Sequence, residues 1–172
     1  MKKGLIAIAF LLIAIAVVWT ATYVIRDGEF SKRSHTIVME EHFDNGEAMY
    51  LGYKFLWEGI GRPTLMEVAL LKKDGTVLTQ EDAFRIQPYV ENSPENQIGA
   101  LNEETVINDG LADHLLPLKG FKVDSNFRIV LRVEYDENQP VPEIDRLRIT
   151  YKKFGVTRQQ IIAFEGILID ES

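Results

Sequence analysis

Glu40, Glu41, His42 and Asp44 fall within five positions, and His35 lies just upstream. Alternate side chains of an extended chain share a face. Glu40 and His42 would therefore point together, and Asp44 would join them if the strand ran on. Three oxygen and nitrogen donors so placed suit Zn²⁺ or Mn²⁺. The same residues also read as a polar strand face entering the turn Asp44-Asn45-Gly46. That plainer reading is adopted: His42, Glu40 and Asp44 are the candidates should a metal bind, and neither metal nor cofactor is expected. His114 stands alone among leucines and reads as a surface or half-buried histidine.

Other chemistries lack their parts. The chain has no Cys, which excludes disulfides, thiolate metal sites and thiol nucleophiles. Its serines are Ser31, Ser34, Ser93, Ser125 and Ser172, none in a G-x-S-x-G setting, so an activated serine is not indicated. Neither G-x-x-x-x-G-K nor G-x-G-x-x-G occurs, so no phosphate cradle is encoded. Two carboxylates could hydrolyse a glycoside, but with 26 Asp and Glu in the chain some pair always exists, so the observation discriminates nothing. No catalytic residue is assigned.

Charge is more informative. Nineteen Lys and Arg against 26 Asp and Glu give a formal net charge of −7, the wrong sign for a nucleic-acid footprint. Acids crowd 81–113, and bases crowd 146–158. Arg146, Arg148 and Lys152 alternate with Leu147, Ile149 and Tyr151. Arg128 and Arg132 alternate with Phe127, Ile129, Leu131 and Val133. If these two strands pair across 136–144, their five bases form one patch, suited to lipid headgroups or an anionic wall polymer. The plainer alternative is a solvated sheet face.

The elements that must position these groups begin with an anchor. A run of 22 uncharged residues occupies 4–25, preceded by Lys2 and Lys3 and closed by Arg26-Asp27. As a helix it spans about 33 Å, enough for a bilayer core of about 30 Å. Trp19 and Tyr23 sit one turn apart near its end, where an interfacial belt would place them. A cleaved signal peptide is the rival. The one good small-x-small site, Ala14-Ile15-Ala16, would leave a new terminus beginning Val17-Val18-Trp19. A cut after Ala21 would put bulky Trp19 at −3. An uncleaved anchor is expected. The flanking charges nearly balance, and the short amino-terminal tail points to an exported body. The polar stretch 29–34 reads as a linker, giving an anchor at 1–28, a linker at 29–34 and one domain at 35–172.

Beyond the linker the period is two. Met49, Leu51, Tyr53, Phe55 and Trp57 share one parity. That stripe could be a sugar platform, but at strand spacing it reads as core. Strands are expected at about 36–43, 47–58 and 65–72, then at 84–90 as an edge because of Pro88. Others follow at 127–135, 146–152 and 160–169. Lys73-Asp74-Gly75-Thr76 is a hairpin turn into Val77-Leu78. The last strand carries apolar residues on both faces, so it is central or covered. The least regular stretch, 92–126, holds a candidate short helix at 111–116. About seven to nine strands with short turns make an all-β protein, an antiparallel β-sandwich of immunoglobulin-like or jelly-roll-like type, after one N-terminal transmembrane helix.

A Met-Lys-Lys start, one anchor and a sandwich body resemble, in plan only, small single-pass bacterial surface proteins. No motif carries the resemblance, and no functional residue transfers with it. The expected function is non-catalytic binding of another envelope protein or an anionic envelope component. The alternative is an accessory subunit of a membrane complex, with 4–25 against partner helices and the last strand's second apolar face against another chain. A carboxylate-dependent envelope hydrolase stands third.

Overall fold

A computed structural model of the chain describes residues 2–43, 46–92 and 98–168. Helix α1 (Lys2–Arg26) is the apolar run. Its window Ile8–Arg26 is long and apolar enough to cross a membrane, and none of it is buried against the rest of the protein. The remainder is a β-sandwich. One sheet contains β1 (Glu29–Lys32), β2 (Met49–Glu58), β4 (Phe84–Glu91), β6 (Leu115–Pro117) and β7 (Asn126–Tyr135), in the spatial order β1-β2-β7-β4-β6, with β5 (Ala100–Asn102) paired to the start of β2. The other contains β3 (Thr64–Lys72), β8 (Ile144–Lys153) and β9 (Val156–Ala163), in the order β3-β8-β9. All these pairings are antiparallel.

The period-two stripes face inward as expected. Met49, Leu51, Tyr53, Phe55 and Trp57 are buried, as are Phe127, Ile129, Leu131 and Val133 opposite them and Leu147, Ile149 and Tyr151 from the second sheet. The aromatic stripe is therefore core. Phe30 of β1 locks the end of the sandwich, its ring centroid 4.8 Å from Trp57, 5.7 Å from Phe127 and 5.1 Å from Tyr151. A second, smaller apolar cluster lies on the outer face of the larger sheet. There Tyr50 and Val130 are covered by Ile98 and by Val106 of the short helix α2 (Glu103–Asn108). Asn102 caps α2 by accepting from Thr105 N at 3.1 Å.

Several elements differ from expectation, each for a local reason. The stretch 29–34 is not a linker. Its Phe30 is apolar enough to be drawn into the core, and Glu29–Lys32 add a strand to the edge of β2. The segment 36–43 is not a strand. It makes one bridge, Val38 to Leu168, and then a 3₁₀ turn at Glu40–Phe43 that drives Phe43 inward. The strand at 84–90 is internal along part of its length, because β6 reaches Tyr89, Val90 and Glu91, while among the described residues the half containing Pro88 has no strand partner on that side. Helix forms at Glu103–Asn108, followed by a 3₁₀ turn at Leu111–His114. The turn after β3 forms as expected, with Lys72 N donating to Thr76 O and Leu78 N to Leu70 O, both at 2.9 Å, around the antiparallel bridge of Leu71 with Val77. The last strand starts at Val156 and ends at Ala163, on the edge of its sheet. Its two-faced apolar pattern arises because Phe164 and Ile167 leave the strand and turn into the core, while Ile161 stays 56% exposed.

Candidate functional site

Two places on the domain carry more than packing: the joint with α1 and a cleft at the opposite end. The joint is made by polar side chains on the inward parity of β8 and β9. Lys153 continues the inward row Leu147, Ile149, Tyr151 and is 1% exposed. Its Nζ donates to the carbonyl oxygen of Asp27 and lies 5.3 Å from the Trp57 ring centroid, a cation–π distance. Burial pushes the Lys153 ammonium below its ordinary range, Asp27 opposes the shift and Arg158 adds to it. The Arg158 guanidinium donates to the carbonyls of Arg26 (2.7 Å) and Ile25 (3.2 Å). The last carbonyls of a helix have no partner within it and carry the negative end of its dipole, so both cations suit the place. Gln160 completes the joint, donating to Phe30 O at 2.8 Å and accepting from Phe30 N at 2.7 Å. Asp27 Oδ2 accepts from Ile60 N at 2.6 Å. Gly28, at φ +93°, lets the chain leave the helix under Trp57, where a Cβ would collide with the indole.

At the other end, an open cleft of about 1030 Å³ lies between the ends of the two sheets. Met39, Val141 and Ile144 supply apolar lining, and Glu40, Glu41, Glu143, Asp145 and Glu165 make it acidic, against the single base Lys73. Lys73 is engaged by Glu143 at 2.7 Å.

Glu165 is also structural. It pairs with the buried Lys32, accepts from Thr36 N at 3.3 Å and lies 3.4 Å from His35 Nδ1. Burial pushes its carboxyl up, but the Lys32 ammonium and the backbone donors outweigh burial and hold it below the ordinary range. A carboxyl depressed in the folded state stabilises it above the unfolded-state pKa of about 4.3. That contribution is lost as pH falls through the folded value. Glu165→Gln should therefore cost about 1–3 kcal/mol at pH 7 and less as the medium is acidified below about pH 4. Urea unfolding of both chains at several pH values tests this. A difference that does not shrink in acid would refute the assignment.

The predicted basic patch does not assemble. β7 is flanked by β2 and β4, and β8 by β3 and β9, so the two strands never pair. The segment between them, with Pro140 and Pro142, passes from one sheet to the other. Arg128 and Arg132 stand on the outer face of the larger sheet, and Arg146, Arg148 and Lys152 on the outer face of the smaller, with the core between. Most are engaged by acids. Arg128 pairs with buried Glu91 at 3.1 Å; burial pushes that carboxyl up despite Arg128 and the Ile98 amide. Arg132 pairs with Glu103 and Glu134, Arg146 with Asp145, and Arg148 with Glu67 at 3.5 Å. Among the described residues Lys152 makes no ion pair. Comparison with family models, curated proteins and solved structures finds no match.

Of the metal candidates, Glu40 and His42 lie on one 3₁₀ turn and each has another partner. On the 3₁₀ turn, Glu40 accepts from the Tyr135 hydroxyl at 2.6 Å, while His42 Nδ1 lies 3.2 Å from Met39 O. The Glu40 carboxylate, with burial, pushes the Tyr135 phenol up to about 12. Asp44 lies outside the described residues. Among the described residues no three His, Asp or Glu come together as a metal site would need. Sequence reasoning missed Lys153, Arg158 and Gln160. Their signal was partial: Lys153 stands on the apolar parity of β8, whereas β9 is apolar on both parities and marks neither Arg158 nor Gln160.

Proposed function

We propose that the chain is a single-pass membrane protein whose uncleaved helix holds a non-catalytic binding domain outside the cytoplasm, with the acidic cleft as its partner site. The observation that supports this is the joint. Arg158 and Lys153 tie the end of the apolar helix and the residue after it into the sandwich, and Gln160 clasps Phe30 just beyond, which supports an anchor that stays attached and a cleft that faces away from the bilayer. The connectivity supports the immunoglobulin-like alternative. Without the short β5 and β6, β1-β2-β7-β4 over β3-β8-β9 follows the four-over-three order of constant-type domains. Among partners, an apolar cleft ringed by carboxylates suits a basic, partly apolar segment of another envelope protein. An anionic polymer would need the contiguous basic patch that the two sheets divide.

Two measurements on tagged chain in intact cells test the reading. External protease should remove a C-terminal tag without lysis, and crosslinking should trap a protein partner that Glu41→Lys with Glu143→Lys releases. A tag that survives until lysis overturns the exported placement. A crosslink untouched by the double reversal overturns the cleft. The accessory-subunit alternative is favoured by one feature, exposed Ile161 on edge strand β9. It predicts a crosslink that Ile161→Lys abolishes and cleft reversal spares.

A further inference from the structure

The end of the sandwich beside α1 carries three exposed apolar side chains on two neighbouring loops. Ile60 is 48% exposed, Phe154 55% and Val156 41%. The loops touch, because the Phe154 ring lies against the backbone of Gly61. Phe154 is also the non-glycine residue found at positive φ among the described residues (48°), in a two-residue turn with Gly155 at 82°. Such turns favour Asn, Asp or Gly, and a bulky residue there is strained. The chain thus keeps an aromatic at a hairpin tip at some cost in backbone energy.

The position of the tip is fixed by the joint. Lys153, beside Phe154, donates to the Asp27 carbonyl, and Arg158, two residues past Val156, donates to the carbonyls of Ile25 and Arg26. Ile25 is the last residue of the uncharged run and Arg26 the first charge after it. If α1 spans, this places the tip at the depth where hydrocarbon gives way to headgroups, the layer that aromatic side chains favour.

We infer that Ile60, Phe154 and Val156 form a foot that inserts into the interfacial layer of the bilayer and holds the domain in one attitude on its surface. The occupant is lipid rather than a protein, because the patch is continuous with the end of the spanning helix. The inserting side chains are uncharged, and two exposed arginines are paired, Arg62 with Asp124 and Arg33 with Glu58, so insertion is apolar rather than electrostatic.

This rests on the membrane-spanning reading of α1, and the experiment separates the two. The chain has no Cys, so single nitroxide labels can be placed at Val17→Cys, Ile60→Cys, Val156→Cys and, at the far end, Val141→Cys in full-length protein reconstituted into phosphatidylcholine vesicles. Relaxation by lipid-soluble oxygen should exceed relaxation by an aqueous nickel chelate at 17, 60 and 156, and the order should reverse at 141. Adding anionic lipid should not change the pattern. Lipid contact at 17 with aqueous signals at 60 and 156 overturns the foot and leaves the span. An aqueous signal at 17 overturns both. Phe154→Asn relieves the turn, so it should leave thermal stability unchanged or raised while moving the label at 60 toward the aqueous relaxant. No movement would also overturn the foot.

Discussion

Phe30→Ala should destabilise the domain by about 3–5 kcal/mol, the usual cost of deleting a buried aromatic ring. The side chain is 2% exposed and meets Trp57 and Phe127 from its own sheet and Tyr151 from across the core. Its truncation leaves a hole where the two sheets close over the joint, bounded by backbone that Gln160 holds on both sides. A substitution in a solvated linker would change stability by no more than about 0.5 kcal/mol, so the two readings of 29–34 differ by several-fold. Urea unfolding of the detergent-solubilised full chain, followed through Trp57 fluorescence, measures the difference. A value under about 1 kcal/mol would mean that β1 does not carry the packing described.

Gly52→Ala should cost about 3 kcal/mol, the upper end of overpacking penalties. Gly52 sits in the middle of β2, where its amide donates to Gly99 O at 2.7 Å. A Cβ there would come within 3.0 Å of both the carbonyl carbon and oxygen of Ile98, which are backbone atoms and cannot swing aside. The segment at Ile98 is held from the other side too, by Arg128 Nη1 donating to its carbonyl at 2.5 Å. Relief therefore means lifting this segment off the sheet and exposing the cluster of Tyr50, Ile98, Val106 and Val130. Amide exchange should accelerate in α2 and β5 before it does in β8. Gly99→Ala is the control, since its Cβ would meet open space. Equal losses from the two variants would show that the close approach is not what selects glycine at 52.

How much of this was legible in the sequence follows from what each residue answers to. Where burial alone decides, period two was enough: the stripes of β2, β7 and β8 fall inward residue for residue. Where a residue answers to something distant in sequence, it was not. Phe30 reads as part of a polar hexapeptide because its partners lie 27, 97 and 121 positions away. Arg128 and Arg146 read as neighbours because parity places a residue on a face without saying which sheet owns the face. The eight-residue, two-proline stretch between β7 and β8 was the available hint that the chain changes sheets there. The acidic cleft brings together five separate stretches, and no local pattern announces it. The joint was half legible, since Lys153 breaks the alternation of β8, but the partners of Lys153, Arg158 and Gln160 are backbone groups, to which the sequence is blind.

The absence of slack between α1 and β1 also has a mechanical consequence. β1 leaves the helix and runs along β2, pairing Glu29 with Glu58 through Lys32 with Phe55. A pull applied at the far cleft while the helix is held passes along the axis of β1. It loads those ladder bonds side by side in shear rather than peeling them one at a time. The domain is thus built as a tension member, and the first structure to yield under such a load would be the β1 ladder together with the Gln160 clasp on Phe30.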